Sequence, residues 1–400
     1  MGSGAAATRP PEQGRRCFDQ LPGTIERLLT GFATGPARDE PLLRERFDRV
    51  LLVYLDAFGW VFLERLGRHP LLDRARSDGV LVQLTSQFPS TTTAHVTTIH
   101  SGLPVAQHGV YEWHVLEPSL NRLITPLAFS YAGDTGRETL AGVLAPEAVY
   151  PDESLHGRLA AAGVRSAVAV PATIADSSTS SVLLRHAAVL PFRTPAEGLG
   201  AAAAALAADG AAYALVYLAH VDSLMHAVGP DAPAVTAAFA EALGAIAGAP
   251  VPQGTLVLVT ADHGMSPVHP GRTVYVNERW PDLTRHLETG ADRKPLAPAG
   301  SCRDLFLHVR DGSVETVSDE LGARLGEVAD VVPVAALVAD GVFADPSPRL
   351  RARLADVVVL PRYGEAVYWH EPGRFVQHLY GQHGGLSPEE MEIPLLAWVA

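Results

Sequence analysis

Apolar runs recur along the chain, and several of them end in the same way. From Val50 to Leu55 every side chain is aliphatic or aromatic, and the run stops at Asp56 before a glycine-containing turn (RVLLVYLDAFGW). A continuous apolar run of this length suits a parallel strand covered on both faces, with its polar residue at the carboxyl end. The same grammar returns in SAVAVPATIADS from Ser166, in YALVYLAHVDSLMH from Tyr213 and in GTLVLVTADHGM from Gly254. Ala-rich stretches such as AAAAALAADGAAYALVYLAH read as helix leading into strand. Strands alternating with helices predict an α/β fold with a mainly parallel central sheet flanked by helices. In such sheets function gathers at the carboxyl ends of the strands. Asp56, Asp222 and Asp262 all follow such ends.

The pattern also divides the chain. Residues 1–47 predict a disordered tail, rich in Gly, Ala, Pro and Arg to about position 20, and then short helices over Gly23–Phe32 and around Leu42–Phe47. Residues 48–266 and 371–400 predict the catalytic core. Between them, SCRDLFLHVRDG, VADVVPVAALVADGVF and LADVVVLPRYGEAVYW predict a smaller inserted α+β subdomain over residues 267–370.

Composition narrows the function classes. An apolar fraction of 47% and a charged fraction of 19% fit a chain that buries a large core. The net charge of −13 and the lack of a basic stripe argue against a nucleic-acid polymer as partner. An acidic chain still binds a phosphate ester where metal ions supply the positive charge. Cys17 and Cys302 are far apart and lack metal-like spacing, which predicts no disulfide framework and an intracellular setting. Ala6 spoils a myristoylation signal, Glu26 and Arg27 interrupt any leader after the Arg15–Arg16 pair, and no uncharged run spans a bilayer. The expectation is a cytoplasmic protein without a membrane partner.

Candidate chemistry sits in four short segments. DSLMHAVGP places Asp222 and His226 one helical turn apart, where a carboxylate and an imidazole can share a divalent ion. VTADHGM places Asp262 and His263 side by side after an apolar run, with Gly264 permitting a sharp turn. GQHGG sets His383 among glycines, and Asp56 completes six ligands, enough for two ions with three protein ligands each. FPSTTTAHVTTIHSGLPVAQHG supplies a threonine cluster leading into a helix, whose N-terminus favours an anionic phosphoryl group. A threonine hydroxyl needs a base or a metal to become a nucleophile.

Together these segments resemble the alkaline phosphatase superfamily, and within it the nucleotide pyrophosphatase/phosphodiesterase (type I phosphodiesterase) family. Phe88 to Gly109 fit that family's nucleophile segment without a gap, and its D-x-x-x-H-x-x-G-P pattern falls on Asp222, His226, Gly229 and Pro230. Its D-H-G-M and G-x-H-G patterns fall on Asp262–Met265 and Gly381–Gly384. The resemblance implies Thr92 as nucleophile, one ion held by Asp222, His226 and His383, and another held by Asp56, Asp262 and His263 with Thr92 bound to it. It implies zinc at both positions, with manganese suiting the same N/O ligands. The family's phosphoryl-binding Asn falls on His95, whose imidazole can donate the same bond, and Tyr111 or Trp113 can stack on an aromatic part of the substrate. The implied activity is hydrolysis of phosphodiester or pyrophosphate bonds in a small molecule through a phospho-threonine. The alternatives are a phosphomonoesterase of the same superfamily and a silent metal-binding scaffold. A sulfatase would need a C/S-x-P-x-R context, and a metal-dependent phosphoglycerate mutase a serine and a large insertion; both features are missing. His100, His108, His114, His220, His370 and His378 receive no ligand role.

Overall fold

The computed structural model describes residues 8–31, 40–210 and 212–400. Seven strands form the central sheet: β1 Arg49–Leu55, β2 Val80–Thr85, β3 Arg165–Pro171, β4 Ala188–Phe192, β5 Ala212–Leu218, β6 Leu256–Thr260 and β7 Glu392–Val399. Their order is β2-β7-β6-β1-β5-β3-β4. β7 pairs antiparallel with both of its neighbours, and the remaining pairings are parallel. β1 lies at the centre, with Val50 opposite Tyr213 on one side and Leu256 on the other. Helices cover both of its faces, so Val50 to Leu55 are all buried. Each such aliphatic side chain contributes about 1.5–3 kcal/mol through burial. That two-sided burial explains why β1 reads as an unbroken apolar run.

The parallel strands deliver their carboxyl ends to one edge. Asp56 follows β1, Asp262 follows β6 after one residue, and the helix His220–Val228 starts just beyond β5. The Asp56 N–H donates to the Leu218 carbonyl, which extends the ladder one residue past the strands.

Smaller sheets flank this edge. Ala299–Gly300, Leu305–Leu307, Val357–Pro361 and Ala329–Pro333 pair in that order as an antiparallel sheet, and Val115–Glu117, Arg122–Thr125 and Ser130–Tyr131 form another. Arg303 ties the first of these to the core. Its guanidinium makes two bonds to Glu390, at 2.9 and 2.8 Å, and neither side chain has any solvent exposure. Removing one partner of a pair this deeply buried strands the other charge, at a cost of about 3–5 kcal/mol. Arg303→Met is therefore expected to lower the denaturation midpoint by that equivalent, and a shift below about 1 kcal/mol would show the pair to be dispensable.

Residues 8–20 differ from the expected loose tail. Cys17 forms a β-bridge with Thr85, and Phe18 is fully buried with its ring edge-on to His95. One aromatic anchor and a strand-edge bridge hold a segment whose Gly/Pro composition reads as disorder. Residues 1–7 and Phe32 lie outside the described residues. The first expected helix runs Leu21–Thr30, and the second is a short 3-10 turn at Pro41–Arg44. Among the described residues, no helix is long and apolar enough to cross a membrane.

Candidate active site

Thr92 is the first residue of the helix Thr92–Ser101, and its cap residue Thr91 makes no side-chain cap bond. The leading amides of that helix are thus left to face an anion, at the positive end of the helix dipole. Thr92 Oγ1 lies 3.1 Å from His263 Nε2. Around His263 Nε2 are Asp262 Oδ2 at 3.2 Å and Asp56 Oδ1 at 3.6 Å. On the other side, Asp222 Oδ2 lies 3.4 Å from His226 Nε2, and Asp222 Oδ1 lies 4.0 Å from His383 Nε2. The rings of His263 and His383 stack with centroids 3.6 Å apart. Six residues separated by as much as 327 positions (383 − 56) therefore meet around Thr92.

Two buried triads could each hold an ion, because their ligand atoms lie within 4.8 Å of one another: Asp56, Asp262 and His263, and Asp222, His263 and His383. The first is the expected set. The second joins Asp222 and His383 to His263 rather than to His226, because the stacked His263 and His383 rings bring their Nε2 atoms together while His226 approaches the other oxygen of Asp222.

The hydrogen bonds behind the imidazoles all leave Nε2 available. Nδ1 of His226 bonds to the Gly381 carbonyl at 2.8 Å, Nδ1 of His263 to the Gly264 carbonyl at 2.8 Å, and Nδ1 of His383 to the Ser90 carbonyl at 3.0 Å. Donation from Nδ1–H fixes the tautomer whose Nε2 lone pair faces the cluster, the arrangement usual behind ligating histidines. Asp262 Oδ1 accepts from the backbone N–H groups of Ala57 and His263, at 3.1 and 3.0 Å, which aims Oδ2 at the cluster.

The electrostatics fit a cation. Asp56 Oδ1, Asp222 Oδ1 and Asp262 Oδ2 are buried without a hydrogen-bond partner among the described residues. Burial, and then the charges of Asp262 and Asp222, push the Asp56 carboxyl well above its ordinary range. Burial also raises Asp222, against the pull of His226 and His263. At Asp262 burial works in the same direction, but His263 prevails and holds the carboxyl below its usual range. Three carboxylate oxygens aimed at one volume without a donor are costly unless a cation resolves them. The mixed Asp/His donor set suits zinc or a similar divalent ion.

Glycines let the backbones meet here. A Cβ at Gly264 would stand 1.9 Å from the Glu389 carbonyl oxygen, so Gly264 is required for close approach rather than for the expected turn. At Gly384 φ is +127°, and a Cβ there would stand 2.6 Å from Asp304 Oδ1.

The expected substrate contacts fare unevenly. His95 is buried, with Nε2 accepting from the Gln87 N–H at 2.9 Å and Nδ1 bonded to the Thr91 carbonyl at 2.7 Å. Both ring nitrogens are committed to the protein, so the expectation that His95 donates to a phosphoryl oxygen is corrected. Tyr111 is also corrected: it is fully buried, packs edge-on to Phe306 and bonds the Arg353 carbonyl at 3.3 Å. Trp113, 44% exposed, does line the cavity that opens above Thr92. Of the six histidines without a ligand role, His100, His114, His220 and His378 also line that cavity.

Two contributors escaped the sequence. The Tyr217 hydroxyl donates to Asp56 Oδ2 at 2.5 Å, and Ser90 takes the His383 bond at its carbonyl while its hydroxyl accepts from the Gly384 N–H at 3.2 Å. Tyr217 faces the site because β5 pairs in register with β1, which no local pattern reveals.

Fold and site together fit the enzyme class whose family model matches most of the chain. The model of the type I phosphodiesterase/nucleotide pyrophosphatase family matches residues 50–385, and the chain belongs to that metal-dependent enzyme family of phosphoester hydrolysis. Among solved structures, an inactive variant of murine ectonucleotide pyrophosphatase/phosphodiesterase 5 in complex with AMP is similar at 20% identity and a TM-score of 0.65, over 88% of this chain and 87% of that one. The human protein of the same name is similar at 17% identity and a TM-score of 0.61, over 88% of this chain and 87% of that one. Phosphonoacetate hydrolase from Sinorhizobium meliloti 1021, in complex with phosphonoformate, is similar at 18% identity and a TM-score of 0.62, over 87% and 89%. No curated protein matches the chain.

Proposed function

We propose that the chain hydrolyses phosphodiester or pyrophosphate bonds of a small molecule, with Thr92 as nucleophile beside two divalent ions. The observation that carries this reading is the position of Thr92 Oγ1, 3.1 Å from His263 Nε2 at an uncapped helix N-terminus. Asp56, Asp262 and His263 would hold one ion; with His263 committed there, Asp222 and His383 would hold the other together with His226, whose Nε2 lies 3.4 Å from Asp222 Oδ2, and zinc is the best match to these ligands. Bound ions would supply positive charge to the phosphoryl oxygens and lower the pKa of the threonine hydroxyl.

The rest falls to the chain's own residues. The amides opening the helix at Thr92 orient a phosphoryl oxygen, and Thr92 Oγ1 loses its proton and bonds to phosphorus as the P–O bond to the leaving group breaks, with the departing oxygen taking up a proton in exchange. Water then attacks the same phosphorus and the bond to Thr92 Oγ1 breaks, which restores the hydroxyl. Tyr217 and the Ala57 amide keep Asp56 and Asp262 from turning.

The family match supports a diester or pyrophosphate over a monoester. Turnover of bis-p-nitrophenyl phosphate is expected to exceed that of p-nitrophenyl phosphate at least about tenfold. A preference for the monoester would overturn the choice of bond. Loss of all turnover with the metal-loaded chain would favour a silent scaffold.

A further inference from the structure

The helix that carries Thr92 presents more than a nucleophile to the cavity. Thr92, Val96 and His100 are spaced four residues apart, so they form one row along the helix, and all three line the same cavity of 1090 Å³. At 1.5 Å per residue His100 stands about 12 Å along the axis from Thr92, and helical side chains as a rule lean back toward the helix N-terminus. Val170, Ile174, Leu183 and Phe192 add apolar wall to this cavity.

His100 is buried and its Nδ1 lies 3.0 Å from Nε2 of His156, which is also buried. Burial, and then the neighbouring His156, push His100 well below the ordinary histidine range. Burial, and then His186, lower His156 to about 4. Both imidazoles are therefore neutral at pH 7, and one hydrogen lies between them. The far nitrogen of His156 decides which ring owns it. His156 Nδ1 is buried and has no hydrogen-bond partner among the described residues. A buried N–H without an acceptor is rarer and costlier than a bare acceptor nitrogen. His156 thus carries its hydrogen on Nε2 and donates to Nδ1 of His100. His100 must then carry its own hydrogen on Nε2, the nitrogen left over for the cavity, since no hydrogen bond of the described residues uses it.

We propose that His100 Nε2–H is a substrate-binding donor that selects phosphoesters carrying a neutral acceptor, a carbonyl oxygen or ring nitrogen, at the far end of an apolar or aromatic group. The acceptor would lie roughly 10 Å from the scissile phosphorus, given the helical rise and the backward lean usual for helical side chains. A neutral imidazole offers one hydrogen bond and no charge, so it favours a neutral acceptor over a second phosphate. His156 acts through His100 as a positioning residue. The inference rests on Thr92 as the point of attack.

Two observations test it on the full-length, metal-loaded chain. Nitrogen-15 NMR of the histidines is expected to show His100 as the Nε2–H tautomer, and an Nδ1–H signal would overturn the proposal whatever the activity. Kinetics would then compare the p-nitrophenyl ester of thymidine 5′-monophosphate, which has base carbonyls, with p-nitrophenyl phenyl phosphate, which has an aromatic arm without an acceptor. His100→Phe is expected to raise KM for the thymidine ester about 3–10-fold with kcat within about twofold, and to leave KM for the phenyl ester within about twofold. His156→Phe is expected to raise KM for the thymidine ester alone, by a smaller factor. His100→Gln keeps a donor and is expected to stay within about threefold of the parent, which covers a His100→Phe chain that fails to fold. Equal changes on both esters, or none on either, would overturn the assignment. If the parent chain turns over neither ester while the Nε2–H tautomer is present, the failure belongs to the Thr92 reading instead.

Discussion

Thr92→Ala is expected to lower turnover of a phosphodiester by three orders of magnitude or more while leaving metal content unchanged. The Thr92 hydroxyl lies 3.1 Å from His263 Nε2, where it can attack phosphorus and then leave. Without it water must attack directly, in a site that positions Thr92 Oγ1 rather than water. The six Asp and His side chains of the site stay in place, because the histidines are held by Gly381, Gly264 and Ser90, and Asp262 by backbone amides. Thr92→Ser keeps the oxygen and is expected to stay within about tenfold of the parent. Single-turnover kinetics with elemental analysis of each variant checks both statements. Unchanged turnover in Thr92→Ala would reject the nucleophile.

The other large effect is expected at Asp262. Its Oδ1 accepts from two backbone N–H groups, and its Oδ2 is buried without a hydrogen-bond partner among the described residues. Asp262→Asn keeps the shape and the acceptor toward those amides, but turns an amide NH2 toward the cluster in place of a carboxylate oxygen. An NH2 group cannot ligate a cation, so the Asp56/Asp262/His263 triad loses one of its three ligands. Activity is expected to fall by about two to three orders of magnitude, with roughly one equivalent of metal lost per chain. Circular dichroism should stay unchanged. Full activity in Asp262→Asn would detach this triad from the chemistry.

The central sheet and the cluster were legible from sequence for one physical reason. A buried parallel strand must be apolar on both faces, so the polar residue that ends it stands out, as Asp56 does after Val50–Leu55. Asp222, His226, Asp262, His263 and His383 follow the same rule or sit in short motifs, and the structure brings all of them to Thr92. What failed was the direction of side chains within elements. His95 sits one helical turn from Thr91 and bonds back to its carbonyl, so its ring turns inward against Phe18 rather than toward the substrate. Tyr111 is buried with its ring edge-on to Phe306, while the adjacent-but-one Trp113 is 44% exposed. Tyr217 and Ser90 bond to Asp56 and His383, 161 and 293 positions away, and separations of that size leave no local trace. Residues 8–20 erred in the other direction, where one buried Phe18 outweighs a flexible composition.

Elemental analysis of the desalted, purified chain, paired with a diesterase assay on the same sample, bears most directly on all of this. Three carboxylates and three imidazoles crowded into one buried volume should retain two equivalents of a divalent metal per chain, and activity should vanish with those ions under chelation. A chain carrying less than one equivalent that still cleaves bis-p-nitrophenyl phosphate in excess chelator would contradict it.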